Sequence, residues 1–194
     1  MPDDKRSTIL RAAFEVFVTY GFRKTSMDDI ARMAGMSRPT LYQAFRNKTE
    51  IFRGLAEEMM KETAAKAQAA LARPGSFHER LESAINDSIL DMHRFIERTP
   101  HGVELMGVND EIAADIEERW CEVMVDVVAH GIKAAADDGE LDLSRTASTP
   151  ESAARIFMQA MEGLKGDAMR GKPIEHHVEA LVLFVSGALA ADRP

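Results

Sequence analysis

Residues 25–48 read TSMDDIARMAGMSRPTLYQAFRNK, and the reading of this stretch decides the fold. The Ser26 hydroxyl can cap the free N–H groups of a helix start, and Asp29, three residues on, completes a capping box. Ile30, Ala31, Met33 and Ala34 supply an apolar side. Gly35 suits the left-handed backbone that ends a helix, and Ser37 with Pro39 in the following turn begins another. Two short helices joined this tightly make a helix-turn-helix. In the second, Leu41 and Phe45 lie four apart and face inward, which leaves Arg38, Thr40, Tyr42, Gln43 and Arg46 outward. A face of donors, acceptors and cations suits a groove of duplex DNA. Asn47 opens a third helix with Glu50 at N3, which sets Lys48 beside the positive end of that helix, where a phosphate is favoured.

Charge sharpens this reading. The 194 residues carry a net charge of -8, which taken alone opposes binding to a polyanion. Its distribution is uneven: residues 1–53 hold ten Lys and Arg against six Asp and Glu, a balance of +4, so the remainder carries -12. A basic head on an acidic body presents one end to DNA and keeps the other away from it.

A hydrophobic content of 45% is enough for a real core. No apolar run reaches the length of a membrane span; Val178 to Ala190 is the most apolar segment and is too short. The start, MPDDKRSTIL, lacks the layout of a signal peptide, so a cytoplasmic location is expected. Cys121, the single cysteine, rules out an intrachain disulfide and reads as a buried small side chain.

Helical periodicity recurs along the chain and strand-like alternation is lacking, so the expected fold is all-α with about nine helices. The first helix runs from about Lys5 to Tyr20 and Gly21 ends it, and Asn47 to about Leu71 forms one long enough to connect a head, residues 1–53, to a body, residues 54–194. Ser76 to Glu79 is a further capping box that starts a helix reaching Arg98. A short apolar stretch, Val103 to Val108, precedes a helix expected over 110–138, with Ile116, Trp120, Val123, Val127 and Ala134 on its buried side. Pro150 begins the next, which runs to about Arg170, where Gly171 stops it. Ile174 to Ala191 is the last and is apolar nearly all round, so it needs cover on more than one side.

Several patterns imitate other chemistries and fail on inspection. Residues 166–172 read G-x-x-x-x-G-K, but Pro173 stands where a phosphate-binding loop needs Ser or Thr for magnesium, and a helix rather than a strand precedes it. His78-Glu79 begins like a zinc-protease helix, but position 82 is glutamate rather than the second histidine. No nucleophile elbow occurs. Neither catalysis, a metal nor a cofactor is expected.

Gly21-Phe22, Thr25-Ser26, Ile30-Ala31, Ala34-Gly35, Ser37, Leu41-Tyr42, Phe45 and Lys48 together resemble the DNA-binding domain of the TetR family of transcriptional regulators. The resemblance covers about the first third of the chain; beyond it only the helical layout matches. It implies a ligand-responsive regulator, a repressor acting as a homodimer on a palindromic operator. Arg38 is expected to lead base readout, with Pro39, Thr40, Tyr42, Gln43 and Arg46 sharing contacts and Thr25, Ser26 and Lys48 clamping the backbone. The resemblance also implies a body pocket for a small apolar or aromatic effector, for which Met92, His93, Phe95, Met106, Trp120, Met124, Phe157, Met158 and Met161 are the candidate lining. In such proteins the last two helices pair with those of a second subunit. Gly163, Gly166, Gly187 and Ala188 would allow close approach there, and Leu181, Phe184 and Val185 would supply area. An activator or global regulator of the same architecture without a ligand, or a helical enzyme using the body cavity, are the alternative readings.

Overall fold

The structure is a computed structural model that describes residues 2–169 and 173–191, and its ten α-helices are α1 (Pro2–Tyr20), α2 (Met27–Met33), α3 (Arg38–Ala44), α4 (Lys48–Leu71), α5 (Phe77–Ile85), α6 (Asp91–Glu97), α7 (Gly102–Ile112), α8 (Ala114–Asp137), α9 (Pro150–Met169) and α10 (Glu175–Leu189). The fold is all-α. A π-helical turn, Asn86–Leu90, follows α5 directly and leads into α6 with no intervening loop. In that turn the Asp91 N–H reaches back five residues to the Asn86 carbonyl, and the buried Ser88 hydroxyl donates to the Ala84 carbonyl. The helix expected over 77–98 is therefore present with one extra residue wound into it, a feature that no local residue type announces.

Two compact units form, and they do not follow the expected division at residue 53. The first comprises residues 1–61 with 92–118; the second comprises 62–91 with 119–194. Each has its own core.

In the first unit Ile9, Ala13 and Phe17 of α1, Ile30 and Ala31 of α2, Leu41 of α3 and Ile51 and Phe52 of α4 pack together with Val108, Ala113 and Ile116. Burying each of the larger side chains contributes roughly 1.5–3 kcal/mol. Leu41 is 0% and Phe45 3% exposed, as their four-residue spacing requires, whereas Met33 points outward. In the second unit Phe77, Leu81 and Ile85 of α5 pack on Met124, Val128 and Ile132 of α8, Phe157 and Met161 of α9, and Val178 and Val182 of α10.

Two expectations change here. The helix expected over 110–138 is divided: α7 already occupies 102–112, Ala113 leaves helical geometry at φ -133° and ψ 13°, and α8 restarts at Ala114. No glycine or proline marks the break. Ala113 is fully buried in the first core, so packing rather than local propensity places it. The buried side of α8 is also rotated from the expected one: Met124, Val125, Val128, Ala129, Ile132 and Ala135 are buried, while Val123 is largely exposed and Ala134 is exposed. Alanine and valine occur on both the buried and the exposed sides of this helix, which makes its periodicity ambiguous.

Candidate nucleic-acid interface

The helix-turn-helix is built by its caps. Ser26 Oγ accepts the Asp29 N–H at 3.3 Å and the Asp29 carboxylate accepts the Ser26 N–H at 3.0 Å, the reciprocal arrangement of a capping box. The Ser26 hydroxyl and backbone bonds together hold the Asp29 carboxyl below its ordinary pKa. Gly35 takes φ +63° in the turn, and Ser37 caps α3 by accepting the Thr40 N–H. The expected start of α4 is also present: Asn47 Oδ1 accepts the Glu50 N–H at 2.9 Å, and Glu50 accepts the Arg46 N–H at 2.6 Å.

On the outward face of α3, Arg38, Pro39, Tyr42 and Gln43 are exposed and Thr40 is half-buried. The Arg46 side chain, just past the helix, is 89% exposed. Arg38 Nε lies 2.5 Å from Asp28 Oδ1 as an ion pair that lacks the angle of a hydrogen bond. Its guanidinium is thus oriented from α2 while staying accessible.

Thr25 and Lys48, both expected at the DNA backbone, work inward in this structure. Thr25 is 3% exposed and its hydroxyl donates to the Gly21 carbonyl at 2.6 Å. Lys48 Nζ donates to the carbonyls of Phe22 at 2.8 Å, Thr25 at 2.9 Å and Arg23 at 3.1 Å, which matches the three N–H groups of an ammonium to three acceptors. The same nitrogen stands 4.6 Å over the Phe22 ring. Burial pushes the Lys48 ammonium below its ordinary pKa, and the Glu104 carboxylate opposes that shift. Lys48 therefore holds the α1–α2 turn from beneath.

Sequence reasoning missed the contacts made within this unit by residues far apart in the chain. Glu104 Oε1 on α7 accepts the Arg23 N–H at 2.8 Å, and Arg53 pairs with Asp115. Separations of 81 and 62 residues leave no local signal of either contact.

The nine candidate effector residues divide between the units. Met92, His93, Phe95 and Met106 belong to the first, where Phe95 is exposed and stacks on Phe14 at 5.5 Å. Trp120, Met124, Phe157, Met158 and Met161 belong to the second, where the last four are buried core. A groove of about 390 Å³ in the second unit is lined instead by Phe77, His78, Glu140, Leu183, Ser186 and Gly187 among others, none of them a candidate effector residue. Of the residues expected at a subunit interface, Phe184 and Gly187 are exposed on α10, Leu181, Val185 and Ala188 are half-buried, and Gly163 on α9 is exposed. The surroundings of Gly166, and the helix stop expected at Gly171, lie outside the described residues. Among the described residues no three His, Cys, Asp or Glu side chains converge as metal ligands, and no helix is long and apolar enough to cross a membrane.

A capped helix-turn-helix with a cationic, hydrogen-bonding recognition face defines a DNA-binding transcriptional regulator. The family profile described as bacterial regulatory proteins, tetR family, matches residues 9–55. Over nearly its whole length the chain is similar to the HTH-type transcriptional activator FasR of Mycolicibacterium smegmatis (strain ATCC 700084 / mc(2)155), with 30% identity across 97% of this chain and 84% of that protein. The chain belongs to the TetR family. Its fold resembles that of a putative TetR-family regulator from Mesorhizobium loti, with a TM-score of 0.71 and 18% identity over 98% of this chain and 99% of that one. SmeT solved in complex with triclosan is similar in fold as well, with a TM-score of 0.64 and 18% identity over 97% and 93% of the two chains.

Proposed function

We propose that the protein is a ligand-responsive repressor in the cytoplasm, which binds a near-palindromic operator as a homodimer and leaves it when a small apolar molecule occupies the body. Trp120 carries the ligand reading. Its Nε1 is buried without a hydrogen-bond partner among the described residues, while its ring packs against the apolar core of the second unit. A buried donor left unpaired costs roughly 1–3 kcal/mol. A molecule with an apolar body and one acceptor would supply the missing bond. The triclosan complex of SmeT, a protein of similar fold, agrees with an effector of that chemistry.

Arg38 reads base edges in this scheme, with Pro39, Thr40, Tyr42 and Gln43 alongside, and Arg46 and Ser26 meet the phosphates. A dimer places two copies of α3 in successive major grooves about 34–36 Å apart. The exposed Ile156 on α9 and Leu183 and Phe184 on α10 support such a dimer, because a second copy would remove their apolar surface from water. Release requires that the effector bind the DNA-incompetent spacing more tightly than the competent one.

Trp120 is the single tryptophan, so its fluorescence reports this site without labelling. Titration with triclosan as the probe should shift the emission and free a bound operator duplex, and Trp120→Phe should weaken that release. Unchanged emission together with undiminished DNA binding would count against the effector reading. One observation favours a second role: FasR, at 30% identity over nearly the whole chain, is an activator. Transcription in vitro from a bound promoter separates the two, since activation raises transcript yield and repression lowers it.

A further inference from the structure

Helix α7 grips the α1–α2 turn. Glu104 and Glu111, seven residues apart and so on one face of α7, both reach Arg23: Glu104 Oε1 accepts its backbone N–H at 2.8 Å and Glu111 Oε1 lies 3.4 Å from its guanidinium. The far end of α7 is held too, because Arg53 Nη1 donates to the Ile112 carbonyl at 2.7 Å. Gly21, at φ +83°, permits the close approach, since a Cβ at that position would collide with the Glu104 carboxylate and crowd His101 Nδ1. His101 itself stands 3.4 Å from Glu104 Oε2. Lys48 fixes the same turn from α4 through the carbonyls of Phe22, Arg23 and Thr25. The turn leads directly into the Ser26 cap of α2, and Asp28 of α2 orients Arg38 of α3.

We propose that Glu104 is a positioning residue for DNA binding: through the Arg23 N–H it ties the α1–α2 turn to α7, so that the placement of α2 and α3 depends on where α7 lies. Glu104 touches no DNA in this scheme. It sets the geometry in which the exposed residues of α3 do so, and the inference rests on α3 being the DNA-reading element. A carboxylate suits the task because a charged acceptor makes a stronger bond to a backbone N–H than a neutral one, and losing that bond loosens the tie of the turn to α7 while Lys48 still holds it to α4.

The test uses full-length protein and a duplex selected by the wild type from a random pool. Glu104→Ala should bind that duplex roughly tenfold more weakly. Its salt dependence should keep the wild-type slope, because every phosphate contact is retained. Glu104→Gln keeps an acceptor oxygen and should restore most of the affinity. Hydrogen exchange supplies the readout that simple destabilisation would not produce: in Glu104→Ala the Arg23 amide should lose protection while the amides of Ile30 and Leu41 keep theirs. Wild-type affinity in Glu104→Ala, failure of Glu104→Gln to restore binding, or loss of protection throughout α2 and α3 would each overturn the proposal. If the wild type selects no duplex at all, the DNA-reading assignment of α3 fails instead.

Discussion

Arg53 and Asp115 meet as a two-pronged ion pair, with Nη1 2.6 Å from Oδ1 and Nη2 2.8 Å from Oδ2. The pair joins α4 to the start of α8 within one compact unit, and the Asp115 carboxylate raises the Arg53 pKa above its ordinary value. Both side chains remain partly exposed, at 35% and 53%, so screening limits their coupling. A double-mutant cycle on Arg53→Met and Asp115→Asn, read by denaturant unfolding, should give a coupling of about 0.5–1 kcal/mol that shrinks in high salt. Arg53→Met alone should cost more than Asp115→Asn, because it also abandons the Ile112 carbonyl.

Three cations near the recognition face should behave differently. Arg38→Ala should cost about 1–3 kcal/mol of operator affinity and relax base preference at one position. Arg46→Ala should weaken all duplexes alike and reduce the salt slope by about 0.9, the share of one neutralised phosphate. Lys48→Met should lower affinity with the slope unchanged and should also lower the unfolding midpoint, because its ammonium holds three carbonyls of the α1–α2 turn. A Lys48→Met protein with wild-type stability and a reduced slope would show instead that this lysine contacts phosphate.

Phe184 is 73% and Leu183 62% exposed on a helix that is otherwise strongly apolar. Phe184→Asp should convert the proposed dimer to a monomer in sedimentation measurements, since a charge desolvated at a subunit contact costs several kcal/mol. Operator affinity should fall more than tenfold once the second recognition helix is absent. A variant that sediments as the wild type does would place the subunit contact elsewhere.

The two capping boxes make a prediction about acid. The Ser26 bonds hold the Asp29 carboxyl below 3.8, and the Ser76 bonds hold the Glu79 carboxyl below 4.5, in each case under the ordinary value. A depressed carboxyl stabilises the fold above its ordinary value and loses that contribution as the pH falls through the depressed one. Carboxyl carbon NMR titrations should therefore show both midpoints shifted down. Ser26→Ala should raise the Asp29 midpoint toward its ordinary value and leave Glu79 where it was. Equal midpoints in variant and wild type would mean that the Ser26 bonds are not formed in solution.

The helix-turn-helix was legible because its determinants are local. Ser26 with Asp29, Gly35, Ser37 with Pro39, and the Leu41–Phe45 spacing each act within one or two helical turns, and each appears in the structure in the expected role. The candidate effector residues are a different case. Met124, Phe157, Met158 and Met161 are suitable in type for a pocket and equally suitable for a core, and the structure places them in a core. Residue type does not separate the two, because the same apolar chemistry drives both.

The sequence by itself determined the all-α class, the capped hairpin, the concentration of positive charge in the first 53 residues and the outward polar face of α3. Those follow from backbone capping, periodicity and charge, which act over short stretches of chain. Tertiary structure alone decided that α7 joins the unit bearing the helix-turn-helix, that the helix breaks at Ala113, that Thr25 turns inward to the Gly21 carbonyl and that Lys48 turns inward near Glu104. Each of these depends on groups separated by tens of residues, such as Arg23 and Glu104, which meet only where the hydrophobic core of the first unit brings their helices within hydrogen-bonding distance.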